Sequence, residues 1–197
     1  MAKSNITPAD LLLRADAKTE ANMKPLAQTA PVRLLGQASE LGDQPQVRAI
    51  AATLILTGLL SGNGRLTRAG MRVLVAHETA TVAKNFVKRR VDRSRPRSAS
   101  TTRGRTPKEG RSSNKEETSF PSGHSAGATA AAVAFAGEYP EHRLLVLTGA
   151  AAIAAAQVPR CAHYSTDVSA GLAIRALAGA ASNSAVAKLA RYDDCGR

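Results

Sequence analysis

Stretches of small and apolar residues, dominated by alanine and broken by turn residues, set the architectures open to this chain. Val47 to Leu60, Leu66 to Arg90, Ala126 to Ala136, Leu144 to Val158 and Thr166 to about Ala190 each read as a helix. Ser61-Gly62-Asn63-Gly64 reads as the turn between the first two. No Val/Ile/Tyr alternation runs between turn residues, so strand signals are sparse. The fold class is therefore all-α, a bundle of about five core helices in one domain. A bilayer span takes about 20 apolar residues, and several of these runs are shorter. Their alanine and glycine nonetheless favour close helix contacts in lipid, with His77, Glu78, Thr79 and Asn85 turned to the bundle interior. The expectation is a membrane-embedded bundle.

Residues 1–46 read as an amphipathic, peripheral segment. Thr7-Pro8-Ala9-Asp10 is a helix start, with Thr as cap and Pro in the first turn, and Pro31 and Gly42 bracket a second short helix. The core occupies 47–190 and a short tail 191–197. The formal charge is +12, and between Lys88 and Ser119 eleven Lys/Arg stand against four Asp/Glu. That bias makes 91–119 a long polar, basic loop between helices, with 98–117 expected to be solvated and partly disordered. Trp is absent and aromatics are 3%, which removes the stacking platforms of a nucleic-acid binder. Cys161 and Cys195 do not make a disulfide framework, and Cys161 reads as a small buried filler. The N-terminus shows no basic region followed by an apolar run and cleavage site, so no signal peptide is expected.

Three short blocks carry chemistry: Lys88-x6-Arg95-Pro96, then Pro121-Ser122-Gly123-His124, then His163-x3-Asp167. Fixed cations suit a tetrahedral phosphate, one imidazole can attack phosphorus, another can protonate the leaving oxygen, and a carboxylate can orient the attacker. Each block falls at a helix end. If every helix crosses the bundle once, all three lie on the same side. His77-Glu78 lacks the spacing of a zinc motif and reads as an interior hydrogen-bonded pair.

Over roughly Arg72 to Leu177 the blocks and their order resemble the type 2 phosphatidic acid phosphatase superfamily, which includes bacterial class A acid phosphatases and vanadium haloperoxidases. The resemblance implies that His163 is a nucleophile forming a phosphohistidine, with Asp167 accepting a hydrogen bond from its other ring nitrogen. It makes His124 the general acid and then the base that activates water. Lys88 and Arg95 would neutralise the phosphoryl oxygens, with Ser122 and the Gly123 amide donating to them at a helix N-terminus. One position departs from the pattern: Gln157 stands where the family usually has an Arg, six residues before the nucleophile. Arg160 is the candidate replacement.

These residues imply a phosphoric ester or diphosphate hydrolase acting on a lipid phosphate or diphosphate, with no metal and no cofactor. The implied setting is the cell membrane, multi-pass, with the site facing the periplasm or exterior. The alternatives are a vanadate-dependent haloperoxidase-like enzyme and a catalytically inactive membrane protein of the same fold. A nucleic-acid partner would explain the charge but not PSGH or His-x3-Asp.

Overall fold

A computed structural model describes residues 7–99 and 105–175. The first helix, α1, spans Pro8–Met23 and starts on a capping box, in which Thr7 accepts from the Asp10 amide and Asp10 accepts from the Thr7 amide. Helix α2 spans Ala30–Ser39 and runs into a 3-10 turn at Glu40–Gly42. Helices α3, Gln44–Leu60, and α4, Gly64–Lys88, are joined at Ser61–Asn63, where the Asn63 side chain accepts from Leu66 and caps α4. Helix α5 spans Gly123–Glu138 and α6 spans Arg143–Ala155. A last described helix, α7, begins at 165 and is followed to 175. The expected fifth core helix beyond 175 and the tail 191–197 lie outside the described residues.

Helices α3 to α6 pack in chain order, each against the next. The core shared by α3, α4 and α5 is small, Val47, Ala51, Val73, Ala76, Ala80, Ala130 and Ala134, and α6 joins through Ala150 against Ala128 and Ala132. Alanine faces bring the backbones close, at the cost of a thin apolar layer. Such an approach occurs where α7 meets the start of α5: a Cβ on Gly171 would stand 2.7 Å from the Ser122 carbonyl oxygen. Only glycine fits there, and the contact seats α7 beneath the Ser122–Gly123 turn.

The all-helical reading holds apart from one antiparallel pair, Val91–Asp92 with Lys108–Glu109. Expected membrane spans are a different matter. No described helix is long and apolar enough to cross a membrane. Helix α4 has the length, 25 residues, but Arg65, Arg68, Arg72, Glu78, Lys84 and Lys88 interrupt it, while α3, α5 and α6 have 17, 16 and 13 residues.

The N-terminal segment is largely exposed, but buried acidic residues anchor it. Asp16 and Glu20 of α1 are buried, and their carboxylates pair with Arg93 and Arg105 of the basic loop. The described part of the loop, 91–99 and 105–119, is largely solvated over 105–117, as expected, but tied down at its base. Arg93 N donates to Glu117 O at 2.7 Å and Ser119 N donates to Arg93 O at 2.9 Å. Arg97 pairs with Glu116, and the Arg93, Arg95 and Ser119 side chains are buried. Charge compensation from another part of the chain, invisible to a local count, orders it. His77 is interior as expected, but the pairing is not: neither ring nitrogen has a hydrogen-bond partner, and Glu78 faces outward to Arg48.

Candidate active site

Main-chain groups lock the three sequence blocks together. Arg95 Nη1 donates to the Ala162 carbonyl at 3.3 Å, the Ser119 carbonyl faces His163 Nδ1 at 2.8 Å, and the Ser122 amide donates to the Asp167 carbonyl at 3.0 Å. Between α6 and α7 the chain turns through Cys161, whose φ of 51° is in the left-handed region. A non-glycine residue is held there at a cost of about 1–3 kcal/mol. The turn directs the Cys161 carbonyl to the Arg97 amide and the Ala162 carbonyl to Arg95, so the strain is spent on tying block one to block three. Cys161 itself is buried, as expected, and burial pushes its thiol pKa up.

His163 is buried, and burial lowers its pKa to about 4, with Asp167 pushing the other way. Its Nδ1 lies next to a carbonyl, which can only accept, so Nδ1 carries the hydrogen and Nε2 keeps the lone pair. That partner differs from the expected one. Asp167 Oδ2 is 3.8 Å from Nδ1, too long for a hydrogen bond, and its carboxylate is instead the centre of a buried network. Asp167 accepts from the Ser119 hydroxyl, from the Tyr164 amide at 3.0 Å and from Arg93 Nη1 at 2.5 Å. Arg93 in turn reaches Asp16 at 2.7 Å and stacks over the Tyr164 ring at 3.9 Å. Burial opposes ionisation of Asp167, and its hydrogen-bonding and cationic neighbours outweigh it, so its pKa is lowered.

Lys88 Nζ donates to the Thr118 carbonyl at 2.8 Å, and burial, then Arg95, lowers its pKa to about 7. Arg95 is fixed by the Lys115 and Ala162 carbonyls. Ser122 Oγ shares a hydrogen bond with Ser125 Oγ at 2.9 Å, and no side chain caps the first turn of α5, which begins at Gly123. His124 Nε2 stands 3.1 Å from Asp43 Oδ1 at the start of α3. The imidazole holds the Asp43 carboxyl below the usual range against the opposing effect of burial. Glu40, Asp43 and His124 place one ligand atom each within 4.8 Å of one another, a spacing that could hold a cation. Arg160 already pairs with one of them, Glu40.

The model of the PAP2 superfamily matches residues 69–191. The chain belongs to the PAP2 superfamily. No curated protein and no solved structure matches it. Within the PAP2 pattern, the departure at Gln157 has a clear structural outcome. Gln157 is buried and its amide donates back to the Ile153 carbonyl at 3.1 Å, within its own helix. Arg160 donates to Ser39 Oγ at 2.7 Å and to Glu40 at 3.2 Å, so its guanidinium is engaged at the end of α2. Asp43, Arg93, Ser119 and Asp16 were not singled out by sequence. Asp43, Ser119 and Asp16 precede or fall between the blocks, and Ser119 acts partly through a carbonyl, which leaves no trace in residue type.

An apolar cavity of about 360 Å³ lies between α3, α5 and α6, lined by Leu41, Val47, Ala128, Phe135 and Ile153 among others and by none of the site residues. Ala128 lies one turn beyond His124 on α5. A larger groove, about 840 Å³, lies on the outer side of the loop by Phe86, Arg89, Arg90 and Arg111 and contains none of the site residues.

Proposed function

We propose that this chain is a phosphatase that hydrolyses a lipid phosphate or diphosphate through a phosphohistidine on His163. One observation carries the reading: the Ser119 carbonyl holds Nδ1–H, leaving a neutral imidazole with its Nε2 lone pair free. Nε2 attacks phosphorus, the bond from phosphorus to the leaving oxygen breaks, and His124 gives that oxygen its proton. Asp167, 3.8 Å from Nδ1, offsets the positive charge that develops on the ring. Water then attacks phosphorus, His124 takes its proton, and the P–N bond breaks to release phosphate. Lys88, Arg95 and the first amides of α5 stabilise the phosphoryl oxygens throughout, supplying the charge stabilisation a metal would otherwise provide.

The apolar cavity that starts at Ala128, one turn along α5 from His124, supports a lipid substrate, because His124 serves the leaving group and the leaving group carries the chain. A substrate of that kind resides in a bilayer, so the reaction is placed at the cell membrane, with the site on the exterior face as the family resemblance implies. The test is phosphate release from a panel of lipid phosphates and diphosphates in detergent micelles, with and without EDTA. Release should be unaffected by chelation and inhibited by vanadate. Loss of activity on chelation, restored by a divalent cation, would contradict this mechanism and direct attention to Glu40, Asp43 and His124.

A further inference from the structure

We propose that Lys84 is the third phosphate-binding cation of this site, taking the place left open at Gln157. The inference rests on the phosphatase reading above. Both residues that could have filled that place are committed elsewhere, Gln157 to the Ile153 carbonyl and Arg160 to Ser39 and Glu40. Lys84 lies one turn before Lys88 on α4, so both ammonium groups project from the same helix face. It is only 9% exposed. Its Cδ and Nζ lie 3.6 and 3.7 Å from where a Cβ on Gly123 would stand, which puts the charge against the first residue of α5.

Among the described residues Lys84 has no hydrogen bond and no ion pair. The charges that act on it from neighbouring elements are Arg175 of α7 and Arg48 of α3, both cationic, and Asp43, whose carboxylate faces His124. Lys84 in turn repels Lys88. A buried ammonium among cations is unfavourable unless an anion joins it. The uncapped amides at the start of α5 favour an anion at the same point. A phosphoryl dianion between Lys84, Lys88 and Arg95 answers both.

The experiment uses the full chain and two readouts: calorimetric binding of inorganic phosphate, and kcat/KM for hydrolysis of a phosphate ester. Lys84→Met keeps the stem and removes the charge. It should weaken phosphate binding about 10- to 100-fold, as expected for loss of a charged hydrogen bond. It should lower kcat/KM about 10²- to 10³-fold, with the melting temperature unchanged or raised. Lys84→Arg should retain most of both, and adding Gln157→Arg to Lys84→Met should restore about tenfold or more of the lost binding. Phosphate binding and turnover of Lys84→Met equal to the wild type would overturn the assignment while leaving the phosphatase reading intact. If Lys84→Met does not fold, unaltered phosphate affinity in Lys84→Gln has the same meaning. No phosphate binding by the wild-type chain would overturn the reading and this inference together.

Discussion

At the scale of single residues, ionisation states decide when the site works. His163 is protonated only near and below about 4, and Lys88 loses its charge above about 7. Because kcat/KM reports the free enzyme, it should fall on the acid side through about 4 and on the alkaline side through about 7, after correction for the substrate's own ionisation. Lys88→Arg should move the alkaline limb up toward the Lys84 value of about 8. An alkaline limb that stays at its wild-type position in Lys88→Arg would show that another group sets it. Lys88, His124, His163 and Asp167 were legible in the sequence because each sits in a block with fixed spacing. The acceptor for His163 Nδ1 was not, since a carbonyl oxygen has no residue signature and Asp167 was the nearest carboxylate by sequence. Lys84 was within reach of a sequence argument: it lies four residues before Lys88 on a helix already assigned.

At the scale of elements, α1 is the part the sequence disguised. Its cap and start were readable, but the distant partners of its acidic residues were not. They are buried because the basic loop supplies their partners, and Arg93 joins Asp16 to Asp167 in one buried chain. Asp16 also accepts from the Thr166 amide and hydroxyl at the start of α7. With Thr19 and Glu20 it closes the space beside His163 to about 10 Å³, roughly one water. Removing one partner of such a buried pair costs about 3–5 kcal/mol. Asp16→Ala should therefore lower the melting temperature and reduce kcat through a misplaced Asp167. A melting curve and turnover number unchanged in Asp16→Ala would mean that α1 merely rests on the bundle.

At the scale of the whole molecule, the helical class and the order of the core helices followed from apolar periodicity and turn residues. Membrane spans are not found among the described helices, whose alanine-rich runs are apolar enough to pack yet too short or too charged to cross a bilayer. The thin alanine core leaves stability dependent on buried polar groups. Burial depresses both His77 and His163 to about 4, against a usual 6.5. Between those values the unfolded chain binds more protons than the folded one through these two histidines, so their contribution to stability falls as pH drops from about 6.5 toward 4. The melting temperature should follow that course, and His77→Gln should flatten it. A melting temperature independent of pH across that window would contradict the burial of neutral imidazoles.

The mechanism turns on covalent phosphorylation of His163, and trapping the intermediate is its sharpest test. The chain is mixed with a substrate carrying labelled phosphate and quenched rapidly under conditions that preserve phosphohistidine, and the protein-bound label is then mapped. The account predicts label on His163, none in His163→Ala, and a greatly reduced rate of labelling in Asp167→Asn. Label that persists in His163→Ala, or a wild-type enzyme that releases phosphate with no protein-bound label at any quench time, would contradict it.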